Sequence, residues 1–293
     1  MICYLRASET QNALLHQAFL KSFADYLVPM AMDQAAFTEL FFGPEGNAPE
    51  HSFLAMRGEE PVGLCLGGIR HFDGLRTLRC GALAVVPDLR GSGVSRELMR
   101  LHKEEGLAQG CRQLFLEVIA DNRRALNFYQ GLGYFKAYEL KFYAIERQNW
   151  LSKSLTEEFT VEEIPFKQIA EKRRLLKGQH INWQNEIEAL ERVHEKHCLG
   201  ILRKGKLVAC ALLGAKGKLH FLWVKEAMRC KGLATALVSA LFEGFQPQQI
   251  TLSFSNNAAL EGFARKTGWT QKDLFEYEMC LPLQAVWNEI TVH

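Results

Sequence analysis

The stretch VVPDLRGSGVSRELM, residues 85–99, decides the fold. Apolar residues lead up to Pro87, and Arg-Gly-Ser-Gly then opens a segment with the spacing of an amphipathic helix. A junction of this kind leaves backbone N–H groups free at a helix N-terminus, where the partial positive charge suits a pyrophosphate. Glycines in such a loop let a phosphate approach the backbone without a Cβ in the way. An ordinary glycine-rich turn that opens a helix would have the same local pattern.

The same junction occurs twice in the chain, within a longer duplicated pattern. Three blocks recur in the same order, with offsets of 139, 135 and 146: LRGSGVSREL (89–98) with MRCKGLATAL (228–237), ADNRRALNFYQGLGY (120–134) with SNNAALEGFARKTGW (255–269), and MRGEEPVGLCL (56–66) with LRKGKLVACAL (202–212). Colinear blocks with small changes of offset indicate duplication of a whole domain.

Chain length and composition agree with two globular domains. The 293 residues exceed one typical domain of roughly 150 residues. We predict domains at 1–148 and 155–293, joined by the polar stretch ERQNWLSKSLTEE (146–158), which lacks Pro and Gly and is therefore expected to be a fixed connection. Residues are 48% hydrophobic and 23% charged, as in ordinary globular proteins.

Charge and cysteine use exclude several classes of function. The net charge is only +2, without a basic run, so nucleic acid is not expected as a partner. Apolar runs fall short of the ~20 residues of a membrane helix, and the N-terminal residues lack a signal-peptide pattern. The eight cysteines form no CxxC pair, which predicts buried free thiols in a reducing compartment and no metal site. We therefore expect a cytoplasmic protein without membrane contact.

The periodicity predicts the same order of elements in both copies. The first copy is predicted to run strand ICYLRAS, helices NALLHQAFLKSFADYL and MDQAAFTELFFG, a hairpin around Gly-Glu-Glu-Pro, strand LRCGALAVVP, a long helix, strand QLFLEVIA, helix RALNFYQGLG and strand YELKFYAIE. The second copy repeats this order from FTVEEI to LFEYEMCLPL, with a helix near IAEKRRLLKG and another at NEIEALERVHEK.

A second motif follows about 30 residues after the first loop. Asn122 precedes a short helix that carries Phe128 and Tyr129 and ends in Leu-Gly-Tyr. Together the motifs resemble the GCN5-related N-acetyltransferase (GNAT) superfamily, with its loop Arg/Gln-x-x-Gly-x-Gly/Ala and its later block Asn…Phe-Tyr-x-x-x-Gly-Phe. The first copy departs at Ser95, where Gly or Ala is usual. The resemblance covers nearly the whole chain and implies an α/β (α+β) fold of two tandem domains, each a mixed, mostly antiparallel central sheet flanked by helices.

The resemblance also implies a cosubstrate, acetyl-CoA, and transfer of its acetyl group to an amine. Tyr129 would be the general acid that protonates the departing thiolate, since a phenol is protonated at neutral pH. The remaining positions implied for acetyl-CoA are Leu83, Ala84 and Val85 beside the pantetheine arm, Arg90, Gly91, Ser92, Gly93, Val94 and Ser95 around the pyrophosphate, and Asn122 by the pantetheine.

The second copy retains the loop but not the acid. Alignment on the glycine of the last block matches Ala264 to Tyr129, and alanine donates no proton. The second copy either binds CoA without chemistry, binds nothing, or uses another donor. Its weaker candidate positions are Val224, Arg229, Lys231, Gly232, Ala234 and Asn257.

The general base and the acceptor stay open at this point. Glu117 and His71 are candidate bases, and a water chain ending on carbonyl oxygens is an alternative. We expect an N-acetyltransferase that acts directly on a primary amine, either a small molecule or a peptide, in a ternary complex. The alternative function is that of an acyl-CoA-binding sensor or scaffold without catalysis.

Overall fold

The computed structural model describes residues 1–26, 30–176 and 178–283. The strands are β1 (Ile2–Arg6), β2 (Ala48–Arg57), β3 (Glu60–Phe72), β4 (Leu75–Val85), β5 (Gln113–Ile119), β6 (Phe135–Glu146), β7 (Phe159–Glu163), β8 (Lys196–Arg203), β9 (Lys206–Gly214), β10 (Lys218–Val224), β11 (Gln249–Ser255) and β12 (Thr270–Pro282). The helices are α1 (Asn12–Ser22), α2 (Gln34–Phe42), α3 (Val94–Ala108), α4 (Arg123–Gly131), α5 (Phe166–Arg174), α6 (Ile187–Glu191), α7 (Leu233–Phe245) and α8 (Ala258–Lys266).

These elements form two compact units, and neither is one continuous stretch of sequence. The second unit comprises Ile119–Asp121 and Tyr138–Glu276, and the first holds the rest of the chain. Most of β6 therefore belongs to the second unit, and β12 belongs to the first from Tyr277 onward. We retain 1–148 and 155–293 as the proposed duplicated segments, of which 284–293 lie outside the described residues.

The first unit is a helix-flanked sheet in the order β1-β2-β3-β4-β5, followed by the end of β12. Its strands pair antiparallel except β4 and β5, which are parallel. Alternate side chains of β3 serve opposite faces, because successive residues of a strand point to opposite sides. Leu64 and Leu66 pack with α1 and α2, while Cys65 packs with α3 and α4. The predicted mixed, mostly antiparallel sheet flanked by helices is confirmed.

A bulge and a separation of strands mark the middle of this sheet. Leu66 pairs with Ala82 but Gly67 pairs with Cys80, so Gly81 is an extra residue in β4. The parallel pairing of β4 with β5 ends at Cys80 and Leu116, although both strands continue. We call this point the strand opening.

The second unit repeats the arrangement in the order β6-β11-β10-β9-β8-β7. Its parallel pair, β10 with β11, ends at Leu219 and Leu252. Leu219 pairs with Leu213 and Phe221 with Leu212, so His220 is the extra residue of β10. Gly81 and His220 stand 139 residues apart, the offset of the duplicated loops.

Two local predictions for the second copy have different outcomes. The helix expected over NEIEALERVHEK is reduced to the five residues of α6, because pairing with β9 makes the chain strand from Lys196 onward. The connection at 146–158 is fixed to α7, since Trp150 Nε1 and Lys153 N both donate to Ser239 Oγ at 3.0 Å. The helix near IAEKRRLLKG ends at Arg174, and Lys177 lies outside the described residues.

The cysteines are all free: Cys3 and Cys230 are exposed and the other six are buried. Among residues 1–26, 30–176 and 178–283, no helix is long and apolar enough to cross a membrane. No group of three or more potential metal ligands occurs in that part of the chain.

Candidate active site

The loop before α3 is an open cradle of backbone amides. Gly91 and Gly93 have φ angles of +81° and +97°, a left-handed conformation that favours glycine. Gly93 is the N-cap residue of α3 and has no side chain with which to cap the helix. Apart from the adjoining residues of the loop, no heavy atom of the described chain lies within 4 Å of the position that a Cβ would take at either glycine. The backbone is therefore open to a ligand at both glycines, and the free N–H groups of a helix N-terminus suit the pyrophosphate of acetyl-CoA.

The side chain of Arg90 stabilises the loop. Its guanidinium forms two contacts of 2.5 Å with the Asp25 carboxylate and donates to Ser22 O at 3.1 Å. Its Nε donates to Val85 O at 3.2 Å. These contacts hold the end of α1 against the loop and leave the backbone amides as the groups available to a phosphate.

The end of β4 offers a free strand edge beside the cradle. Leu83, Ala84 and Val85 pair with β3 on one side, and they lie beyond the last residue pair shared with β5. An extended ligand with amide groups can pair with such an edge as an added strand does. This geometry fits the pantetheine arm expected there.

Tyr129 lies on the face of the sheet covered by α3 and α4. It packs in the same core as Cys80, the last β4 residue before the strand opening. Burial raises the pKa of Tyr129 well above 10, and nearby Cys80 and Cys65 raise it further. The phenol is therefore protonated at neutral pH and able to donate a proton.

Asn122 has a structural role at the start of α4. Its side chain accepts a hydrogen bond from Ala125 N at 3.1 Å as the N-cap of the helix. Asn257 does the same for Leu260 N at 3.0 Å at the start of α8. Helix capping is thus a physical reason for asparagine at both positions of the repeat.

Glu117 belongs to a buried ionic cluster beside the strand opening. Arg79 donates to Glu117 Oε2 through Nε and Nη2, and its Nη1 contacts Glu45 Oε2 at 2.8 Å. Oε1 of Glu117 is buried and has no hydrogen-bond partner among the described residues. The pKa of Glu117 is raised above its ordinary value: burial raises it most, the Arg79 guanidinium lowers it, and the charges of Glu45 and Glu278 raise it again.

His71 lies apart from this cluster. It is exposed near the end of β3 and pairs with Arg76, whereas the residue opposite Cys80 is Gly67. Four residues of strand separate His71 from Gly67, a distance of roughly 13 Å. Of the two candidate bases, only Glu117 is near the strand opening. Sequence reasoning missed Arg79, although a basic residue inside an apolar strand signals a buried ion pair.

Comparison with known proteins agrees with this geometry. The profile of the "Acetyltransferase (GNAT) family" matches residues 14–134 and again 153–269. The chain belongs to the GNAT acetyltransferase family. The two matched stretches show that the family's domain occurs twice, and members of this family use acetyl-CoA.

Individual relatives are distant. N-alpha-acetyltransferase 30 of Schizosaccharomyces pombe is 30% identical over 88 residues, covering 29% of this chain and 58% of the relative. The Saccharomyces cerevisiae protein of that name is 32% identical over 97 residues, covering 30% and 53%. The chain thus spans little more than half the length of the curated relatives it matches.

Solved structures share the fold along nearly the whole chain. A GCN5-related N-acetyltransferase from Sphaerobacter thermophilus has a TM-score of 0.70 at 14% identity, covering 97% of this chain and 96% of that one. A tandem GNAT protein from the clavulanic acid biosynthesis pathway has a TM-score of 0.70 at 13% identity, covering 97% and 99%. At these identities the likeness concerns the fold alone.

The second GNAT copy has an apolar core where the first has its phenol. Ala264 is fully buried and packs with Trp150 and Trp269. Gly232, the N-cap of α7, has a φ of +83°, and a Cβ there would stand 2.4 Å from Lys153 Nζ. The Lys153 side chain from the connection therefore lies over the loop that corresponds to the open cradle of the first copy.

The other second-copy candidates surround this loop. Arg229 and Lys231 are exposed on either side of Cys230, Ala234 lies in the first turn of α7, and Val224 ends β10. The positive charges of Arg229 and Lys231 suit a phosphate, as does the helix N-terminus. Lys153 adds a third cation and also occupies space there.

Proposed function

We propose that the first GNAT copy transfers the acetyl group of acetyl-CoA to a primary amine in a ternary complex. The observation that carries this proposal is the protonated phenol of Tyr129, in one core with Cys80 at the strand opening. The matching residue in the second copy, Ala264, lacks any proton to give. The open cradle before α3 and the free edge of β4 supply the binding surface.

The proposed step uses two groups of the protein. The amine nitrogen attacks the acetyl carbonyl carbon, so that an N–C bond forms and the C–S bond breaks. The electron pair of the C–S bond stays on sulfur, which receives the proton of Tyr129. The surplus proton of the amine passes to Oε1 of Glu117, whose raised pKa favours accepting it.

The acceptor is proposed from the names of the relatives. Both curated relatives are N-alpha-acetyltransferases, so the α-amine of a peptide is the first acceptor to test. A small-molecule amine is the second class. The predicted cytoplasmic location, which rests on composition, would give access to both.

For the second copy we propose weaker CoA binding without transfer. Arg229, Lys231 and the free helix N-terminus favour binding, while Lys153 over Gly232 opposes it. Ala264 removes the proton donor. A sensor or scaffold role for the whole chain would require the first copy to lack transfer as well.

An amine screen tests the proposed function. Acetyl-CoA consumption is measured with unblocked peptides, with the same peptides blocked at the α-amine, and with small primary amines. The proposal predicts CoA release that depends on a free amine, with acetylated product found by mass spectrometry. Acetyl-CoA binding without amine-dependent turnover across the panel would favour the sensor instead.

A further inference from the structure

Asn47 places a buried oxygen over the bulge of β4. Its backbone N–H and its Nδ2 both donate to Phe41 O, at 3.0 and 2.9 Å, which fixes the orientation of the side-chain amide. Oδ1 then points at Gly81, where a Cβ would stand only 2.1 Å from it. Asn47 is 3% exposed, and Oδ1 has no hydrogen-bond donor among the described residues.

An oxygen of this kind needs an explanation. Most buried polar atoms in native proteins have a hydrogen-bond partner, because losing the contact with water costs free energy. The segment around Asn47 is nevertheless packed tightly on the sheet: a Cβ at Gly68 would stand 2.2 Å from Gly46 O. Gly81 thus makes room for the side chain of Asn47 and Gly68 for the backbone beside it, while Oδ1 receives no donor from the described residues.

In the second copy an asparagine oxygen also meets the bulge residue, but there a donor is present, and the asparagine (Asn185) precedes α6 whereas Asn47 follows α2. His220, at the position that matches Gly81, has its Nδ1 3.0 Å from Asn185 Oδ1. The Asn185 amide nitrogen donates to Asn182 Oδ1 and to Ser253 O, so its Oδ1 is an acceptor and His220 Nδ1 carries the hydrogen. The copy without a catalytic phenol therefore supplies from its own bulge residue the N–H that Asn47 lacks.

A second oxygen without a donor lies on the same face of the first sheet. Glu117 lies between Leu116 and Val118, which point into the core under α3 and α4, so its side chain points to the other face. Ala82, next to Gly81, packs with α1 and α2 on that face. Asn47 Oδ1 and Glu117 Oε1 are thus two buried acceptors near the strand opening, both on the α1–α2 side of the sheet.

We infer that Asn47 Oδ1 and Glu117 Oε1 each accept one N–H of the acceptor amine, so that Asn47 is a binding and specificity residue for primary amines. This inference rests on the proposed function. A neutral primary amine has two N–H groups and one lone pair. Two hydrogen bonds to these oxygens hold the nitrogen and leave the lone pair free for the acetyl carbon. A secondary amine lacks one of the two donors.

The first test uses the bulge residue to displace the Asn47 oxygen. A Cβ at position 81 would stand 2.1 Å from Asn47 Oδ1, so Gly81→His is expected to push this oxygen aside and withdraw it from the amine. With an unblocked peptide as acceptor, its KM should rise roughly tenfold, as for the loss of one hydrogen bond. The KM for acetyl-CoA and the circular-dichroism spectrum should change little. The matched control, His220→Gly, should leave the KM for the peptide and the KM for acetyl-CoA unchanged.

A pair of substitutions at Asn47 separates binding from packing. Asn47→Leu removes the oxygen, whereas Asn47→Asp keeps an oxygen but loses the side-chain hydrogen bond to Phe41 O. If Oδ1 binds the amine, Asn47→Leu raises the peptide KM roughly tenfold and Asn47→Asp raises it less. An equal or larger effect of Asn47→Asp would assign Asn47 to packing alone and overturn the inference. This pair also serves if Gly81→His does not fold.

The acceptor itself provides the last test. An N-methylated form of the same peptide should be a poorer acceptor by roughly tenfold in kcat/KM, since it offers one donor fewer. Equal rates for both peptides, or an unchanged peptide KM in Gly81→His and Asn47→Leu, would overturn the role of Asn47. If Tyr129→Phe still lost kcat as expected for removal of the general acid, the proposed function would stand and only this inference would fail.

Discussion

Arg79 donates through two nitrogens to a single oxygen of Glu117. Its Nε and Nη2 lie 2.7 and 2.6 Å from Oε2, and Oε1 receives no hydrogen bond from the described residues. The pair is buried, with 6% of each side chain exposed. Glu45 and Glu278 add negative charge to the cluster, so that burial and these neighbours raise the pKa of Glu117 despite Arg79. The raised pKa makes this carboxylate a better proton acceptor than an exposed glutamate.

The pH profile of the reaction tests Glu117 as the base. The base acts only when ionised, so kcat/KM should rise with pH through the pKa of Glu117. Because this pKa is raised, the acidic limb should lie above the usual range of glutamate near 4.3. Glu117→Gln should lower the rate roughly 10²-fold and abolish this limb. An unchanged limb in the variant would assign the proton to water.

Two neighbouring substitutions should move that limb in opposite directions. Arg79→Gln removes the charge that lowers the pKa of Glu117, so the limb should move to higher pH. Glu45→Gln removes a negative charge that raises it, so the limb should move to lower pH. Shifts in the same direction would show that the limb belongs to another group. The Glu45 side chain is more exposed than that of Arg79, so Glu45→Gln should disturb folding less than Arg79→Gln does.

Substitution of Gly93 should weaken acetyl-CoA binding. Gly93→Leu places a side chain over the cradle. Leucine would also have to adopt the left-handed backbone conformation of Gly93, which costs about 1–2 kcal/mol for a residue with a Cβ. Calorimetry should show affinity at the stronger site reduced by well over tenfold, which is more than about 1.4 kcal/mol. The matched variant Gly232→Leu should affect only the weaker, second site. Unchanged affinity in a folded Gly93→Leu protein would remove the loop from the binding site.

His102 should make the protein sensitive to acid. It is fully buried in α3, and neither ring nitrogen has a partner within the described part of the chain. Burial lowers the pKa of His102 to about 3, against roughly 6.5 in the unfolded chain. The unfolded state therefore binds more protons between these values, and stability falls as the pH falls through this window. At pH 5 the loss from this residue is about 2 kcal/mol.

His102→Leu tests this effect. Removing two buried nitrogens without partners should raise the free energy of unfolding by about 1 kcal/mol at pH 7.5. The gain should grow to about 3 kcal/mol at pH 5, because the variant also lacks the proton uptake on unfolding. Urea unfolding at the two pH values measures the difference. A gain in stability that does not depend on pH would show that His102 is not neutral in the folded protein. The control is His71→Gln, which replaces an exposed histidine.

Features set by neighbouring residues could be predicted from the sequence. The start of α3 after Gly93 and the turn between β2 and β3 at Gly58 depend on local backbone conformation, and both are found as expected. The repeated loop and the Phe-Tyr block predicted the family in the same way. Their chemistry depends on residue types at fixed spacing within one element.

Features set by distant partners could not be predicted. The strand YELKFYAIE was expected, but its pairing with β11 depends on contacts more than 100 residues away. Asn47 belongs to no sequence motif, and only the structure shows that its side chain lies over Gly81. Asn122 matched a family position, yet the hydrogen bond to Ala125 N shows that helix capping also explains it.

The rate of acetyl transfer by Tyr129→Phe tests the central claim most directly. The substitution keeps the ring in its core and removes the O–H, so folding and the KM for acetyl-CoA should change little. If the phenol is the general acid of the first copy, kcat for an accepted amine should fall by roughly 10²–10⁴-fold. A full rate in Tyr129→Phe, together with its loss in Gly232→Leu, would contradict the account and place catalysis in the second copy.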